Sequence, residues 1–226
     1  MSTIPRLGIR AAVCGAILSF AAIQPADATI IFTTGNQQYT NVNIAADVNA
    51  LSIIGDIGNT GVTMTFESMI GPDGATQVTM HGQHGVAFVE SYLDSLPGAT
   101  HTGFTGLSLV PQAGYGFTGG DFALDLLNGL DISTAAVMFT GVDQFGNSTQ
   151  QTLALDLNGQ SQYNFYTLNG ELVTRIDMLV DTAQPLQDIK QVSLGVAPIT
   201  VPEPATLALL GIGLAGLWLG RRKRAS

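Results

Sequence analysis

The chain has 226 residues, 46% hydrophobic and 11% charged, which is room for one ordinary domain or two small ones and excludes a coiled coil or a disordered tail. The net charge of −9 comes from 8 basic and 17 acidic residues, and the two signs are segregated. Arg6, Arg10, Arg221, Arg222, Lys223 and Arg224 sit at the ends, whereas 15 of the acids share the middle with only Arg175 and Lys190, a balance that cannot neutralise a run of phosphates and excludes electrostatic nucleic-acid binding.

At the N-terminus, Arg6 and Arg10 precede an apolar stretch, 11–23, and then Pro25 and Ala26-Asp27-Ala28. A basic start, a short apolar run and small residues at the two positions a signal peptidase reads predict a secretory signal peptide over 1–28, cleaved between Ala28 and Thr29. Cleavage removes Cys14, the only cysteine. The exported chain therefore has neither a disulfide nor thiol chemistry, and its fold stands on packing alone.

Residues 29–199 carry strand signals almost throughout. Val62, Met64 and Phe66 alternate with Thr63, Thr65 and Glu67, and Leu153, Leu155 and Leu157 alternate with Thr152, Ala154 and Asp156, the period of a half-buried strand. Turn formers separate the runs at 58–61, 72–74, 143–147 and 158–159. Asn169-Gly170 between 162–168 and 171–180 predicts a hairpin with a type I′ turn, because Asn and Gly tolerate positive φ at both central positions. A second hairpin joins 134–140 to 148–155, 189–196 reads as a closing strand, and Val89, Leu93 and Leu96 share the face of a short helix. Many short strands with Gly and Asn turns predict an all-β domain, an antiparallel β-sandwich or jelly roll.

Several constellations in this domain are candidates for chemistry. Asp121, Asp125, Asn128 and Asp131 form an acidic, glycine-flanked stretch, and Asp121, Asp125 and Asp131 are candidate Ca²⁺ ligands, since that cation takes carboxylate oxygens in flexible segments. The spacing is neither EF-hand nor RTX. No other cofactor is expected. His81, His84 and His101 supply imidazoles, and Glu90 a carboxylate, for a metal, but Gly82 and Gly85 point to a loop and the spacing fits no zinc signature. Asp143 with Asn147 reads as a self-capping turn. Gly106-Leu107-Ser108-Leu109 lacks the second glycine of a nucleophile elbow, so no enzyme is expected. Tyr115, between Gly114 and Gly116 and beside Phe117, is the candidate sugar-binding platform; its other reading is a packed strand residue.

At the C-terminus Val201-Pro202-Glu203-Pro204 leads into an apolar run, 205–220, and then Arg221, Arg222, Lys223 and Arg224. The run reaches about 24 Å as a helix, enough for one transmembrane pass with some thinning of the bilayer. The basic stop-transfer cluster behind it puts the C-terminus in the cytoplasm and the acidic domain outside.

These residues resemble the PEP-CTERM sorting signal of bacterial exported proteins, a signature also catalogued as the ice-binding protein C-terminal domain. The resemblance implies that an exosortase recognises Pro202, Glu203 and Pro204. Short stretches of the ectodomain, 59–68, 85–91, 142–148 and 188–195, also resemble a recurring type of PEP-CTERM protein, implying a galactose-binding-like jelly roll. The expected product is a non-catalytic envelope or matrix protein, membrane-anchored with its ectodomain outside the cytoplasm or released to the surface, and associated with extracellular polysaccharide. Its partners are signal peptidase, the exosortase and the membrane. A carbohydrate-binding module is the alternative, and a secreted polysaccharide hydrolase the third reading.

Overall fold

The computed structural model describes residues 30–34, 39–45, 48–58, 60–73, 77–83, 85, 88–92, 102–127, 133–157, 161–181 and 183–200. They form fourteen strands: β1 (Ile30–Thr34), β2 (Thr40–Ile44), β3 (Val48–Ala50), β4 (Ile53–Ile57), β5 (Thr63–Ile70), β6 (Thr79–Gly82), β7 (Phe88–Tyr92), β8 (Gly106–Pro111), β9 (Tyr115–Leu126), β10 (Ser133–Val142), β11 (Ser148–Leu157), β12 (Ser161–Thr167), β13 (Leu172–Val180) and β14 (Leu186–Pro198). Among the described residues there is no α-helix, and none long and apolar enough to cross a membrane. The domain is all-β, as its alternating pattern predicts. Val89 lies in β7, its β-branched side chain completely buried between flanking strands; Leu93 and Leu96, the rest of the expected helix face, fall outside the described residues.

All pairings are antiparallel, and seven strands close on themselves in the order β9, β14, β2, β4, β5, β8, β13 and back to β9. A sandwich of two separate sheets does not describe this pairing, which runs without a break around the ring. Three groups of strands extend it. β12 and β1 continue from β9, β10 and β11 from β13, and β7, β6 and β3 from β14. The two longest strands, β9 and β14, lie side by side from Leu126↔Leu186 to Tyr115↔Pro198.

A single apolar cluster runs through the interior. It joins Val42, Ile57, Met64, Phe66 and Phe122 in the ring to Phe139, Tyr163 and Phe165 on the flanking strands. The rings of Phe139 and Phe165 stand 5.2 Å apart, and Phe32 lies 5.5 Å from Tyr163 and 6.3 Å from Phe122, all tilted, the geometry aromatic quadrupoles favour. Gly120 makes this approach possible: a Cβ there would sit 2.5 Å from Leu194 Cδ2 and 2.9 Å from both the Phe165 ring and the Ser193 carbonyl oxygen.

The hairpin of β10 with β11 is present, in register from Ser133↔Leu157 to Val142↔Ser148. Asp143 ties its turn: one carboxylate oxygen accepts from the N–H groups of Phe145 and Asn147, each at 2.8 Å, and the other from the Asn147 side-chain amide at 2.8 Å. The Asn169-Gly170 turn also forms, with φ of 56° and 75° and the Glu171 N–H donating to the Leu168 carbonyl at 3.1 Å. The strands on either side of it do not pair. β12 lies between β1 and β9, and β13 joins β10 and β8. Turn chemistry fixes a local reversal, but the partner of each strand follows from long-range burial of Tyr163 and Phe165 on one side and Ile176 and Met178 on the other.

Among the described residues β1 pairs through its backbone with β12 alone, and a side chain serves its other edge. Gln151 of β11 accepts from the Ile30 N–H at 3.1 Å and donates its amide to the Ile30 carbonyl at 3.1 Å, mimicking a backbone ladder pair. Gln151→Ala should lower stability by about 1–2 kcal/mol, the worth of two partly buried hydrogen bonds. Urea denaturation measures that loss, and amide exchange should show deprotection at Ile30 while Val42, inside the ring, keeps its protection.

Candidate functional site

The sorting and processing residues expected from the sequence fall outside the described residues: Ala26, Ala28, Thr29, the triplet Pro202, Glu203 and Pro204, the run 205–220 and the cluster Arg221, Arg222, Lys223 and Arg224. So do Asp131, Asn128, His84 and His101. The described chain ends at Thr200, two residues past β14.

Asp121 and Asp125 both belong to β9, and side chains alternate along a strand, so the two carboxylates share the face opposite Phe122 and Leu124. Four residues of strand separate them by about 13 Å, too far to ligate one cation. Each heads a different polar row. The first row crosses four strands, with Asn164↔Asp121 and Asp121↔Ser193 and Ser193↔Asn41 as neighbours. Thr33 donates to Asn164 Oδ1 at 2.7 Å, and Ser193 donates to Asn41 Oδ1 at 2.9 Å. Tyr39 donates its hydroxyl to the Phe165 carbonyl at 3.2 Å; burial, then the charge of Asp121, raises its pKa.

The second row is the more unusual. Asp125 pairs with Asp188, Asp188 with Glu90, and Glu90 with His81, placing three carboxylates and an imidazole on the adjacent strands β9, β14, β7 and β6. Lys190 donates to Asp125 Oδ2 at 2.9 Å and lies 3.6 Å from Asp188 Oδ1. His81 Nδ1 stands 3.7 Å from Glu90 Oε1. Asp188 is 2% exposed. Its burial raises the carboxyl pKa to about 6; Lys190 opposes the shift, and the neighbouring charges of Asp125 and Glu90 add to it. For Lys190 burial favours the neutral amine, but the Asp125 hydrogen bond and the Asp188 charge outweigh it, and the net shift is upward. The row can therefore take up a proton in mildly acidic solution. Among the described residues no three His, Cys, Asp or Glu side chains converge closely enough to hold a metal ion.

His81 and Glu90, grouped as candidate metal ligands in the sequence, are cross-strand partners on β6 and β7. The sequence reading missed Asp188 and Lys190, whose neighbours Asp125 and Glu90 are brought to them only by strand register.

Tyr115 opens β9 beside Gly114, whose φ is 84°. Its ring is half-buried and packed against the core. Arg175 sits on the outer face of the ring, donating to Asp177 Oδ1 at 2.8 Å, Ser108 Oγ at 2.8 Å and Glu67 Oε1 at 3.0 Å. Arg175 and Glu67 are each 36% exposed at the side chain, so the cluster orders three strands more than it stabilises them.

Residues 200–224 match the PEP-CTERM protein-sorting motif. No curated protein matches the chain. Among solved structures it is similar to the crystal structure of the enzymatically active domain of tailspike protein 4 of bacteriophage CBA120, at 14% identity and a TM-score of 0.24, over 76% of this chain and 20% of that one. The chain thus spans about a fifth of the length of that structure. The C-terminal motif indicates an exported protein processed by an exosortase.

The buried row is testable independently of that motif. Below the ordinary aspartate pKa of 3.8 Asp188 is protonated in both folded and unfolded chains. Between 3.8 and about 6 only the folded chain keeps the proton, so the contribution of this group to stability falls as pH rises and is fully lost above about 6. Asp188→Asn removes the titration. Relative to wild type, the variant should gain on the order of 2–3 kcal/mol between pH 4 and pH 7.5, read from urea denaturation of both proteins across that range.

Proposed function

We propose that this chain is a non-catalytic cell-envelope or extracellular-matrix protein, exported by its N-terminal signal, held in the membrane through 205–220, and processed by an exosortase for display or release. The observation that carries this reading is the sorting motif over 200–224. Its order is that of a recognition triplet, a short apolar helix and a stop-transfer cluster. The charge distribution supports it: basic residues flank the apolar segments, and the 15 acids of the middle keep the domain soluble outside the cell. The only bases of that middle, Lys190 and Arg175, are each engaged with two carboxylates, which supports a structural rather than a catalytic use of the polar faces. On this reading the domain is a jelly-roll-like barrel, a description favoured by the one core shared by the ring and its flanking strands. It lies outside the cytoplasm among extracellular polysaccharide.

Replacing Pro202, Glu203 and Pro204 together with alanine should leave export and membrane insertion intact while blocking processing, since the apolar run and basic cluster suffice for a stop and the triplet is the recognition element. In a host with the exosortase, fractionation and immunoblotting of a C-terminally tagged precursor should show the triple variant accumulating uncut in the membrane. Normal processing of the variant would refute the sorting role.

A further inference from the structure

We infer that one end of the barrel, carrying Phe145, Leu168, Tyr166 and Tyr115, rests against the lipid bilayer as long as the chain is anchored. The inference deepens the anchored reading above and rests on it.

Strand register places both ends of the described chain at the same end of the domain. Ile30 begins β1 opposite Thr167, the last residue of β12. Pro198 ends β14 opposite Tyr115, the first residue of β9. Just beyond it, the Ile199 N–H donates to the Gly114 carbonyl at 2.8 Å. The turn of β10 and β11 belongs to this end too, since Val142 is opposite Leu172. So does the Asn169-Gly170 turn, because a Cβ on Gly170 would lie 3.5 Å from Gln144 Cβ.

Large apolar side chains project from these two neighbouring turns. Phe145 is 48% exposed, Leu168 39% and, at the end of β12, Tyr166 37%. Tyr115, the first residue of β9, is half-buried at the same end. Asp143, in the same turn as Phe145, directs its carboxylate onto the turn's own N–H groups, which leaves the phenyl ring as the tip.

What covers this end follows from the chain beyond it. Only four residues, 201–204, separate Thr200 from the apolar run, a span of at most about 14 Å, and two of them are prolines, which stiffen a linker. With 205–220 in the bilayer, the end that bears Pro198 is held within reach of the headgroups at high effective concentration. Phenylalanine and leucine suit the acyl boundary there, and tyrosine the interface. The acidic domain has no basic patch for anionic lipid, so the surface is read as one for zwitterionic headgroups. Release by the exosortase would free this end.

Depth-dependent fluorescence quenching tests the placement with the full chain in phosphatidylcholine vesicles containing acyl-brominated phosphatidylcholine. Trp218 is the only tryptophan, so wild-type emission reports the anchor. In a Trp218→Phe background, Phe145→Trp and, separately, Leu168→Trp report the proposed contact. Leu179→Trp reports a position 53% exposed and about 23 Å farther along β13 from Leu172. Circular dichroism confirms that each variant is folded. Trp218 and at least one of the two tip variants should lose about half their emission, with a blue shift, and Leu179→Trp should lose none. Quenching of Trp218 without quenching of either tip variant would overturn the contact and leave the anchor standing. Equal quenching of Leu179→Trp would overturn the end-on placement, and an unquenched Trp218 would overturn the anchored reading and this inference with it.

Discussion

A strand with neighbours along both edges has only its two faces left for side chains, and β9 is in that position over most of its length. β14 runs along one edge, and β12 followed by β13 along the other. One face turns Phe122, Leu124 and Leu126 into the core, and the other presents Asp121 and Asp125. The pairing with β9 also aligns Asp188 and Lys190 on β14, and through β14 it sets Glu90 and His81. Slipping this pairing by one residue would put carboxylates into the core and phenyl rings onto the outer face. Both the aromatic interior and the polar rows thus depend on one register.

The scarcity of cations shapes how the carboxylates are held. With two bases against 15 acids in the middle of the chain, each base serves two acids. Lys190 spans Asp125 and Asp188 across β9 and β14, and Arg175 spans Glu67 and Asp177 across β5 and β13 by way of Ser108 on β8. Burial separates the two cases. The Arg175 cluster is partly exposed, whereas Asp188 is almost wholly enclosed and its ionised form is costly. Elsewhere Asp143 uses its own turn's amides in place of a cation, and those hydrogen bonds, the Asn147 side chain first, hold its pKa down.

The sequence reveals local periodicity well and pairing poorly. Val62, Met64 and Phe66 are buried as their alternation requires, and the β10 and β11 hairpin is readable because its two strands are adjacent in the chain. Asn169-Gly170 misleads for the opposite reason. Its backbone preference is local and is satisfied, while the partners of the strands it joins are chosen by packing across distances the turn does not sense. The Asp125, Asp188, Glu90 and His81 row is invisible for the same cause: it assembles four segments spread over more than half the domain. The sorting segment, by contrast, carries its whole signal in consecutive residues, and it is the part of the chain that a family motif matches.

The side-chain clasp between Gln151 and Ile30 has a bearing on how the protein comes into being. β1 is the first described strand, yet its ladder partner begins at Ser161 and its clasp lies 121 residues away. In a chain that emerges from its N-terminus, β1 has no complete ladder partner until nearly three quarters of the sequence has emerged, so the fold has high contact order and folding waits on late arrivals. A segment that stays open so long is accessible to processing enzymes and holdases alike. The order of synthesis and the order of assembly run in opposite directions at this strand.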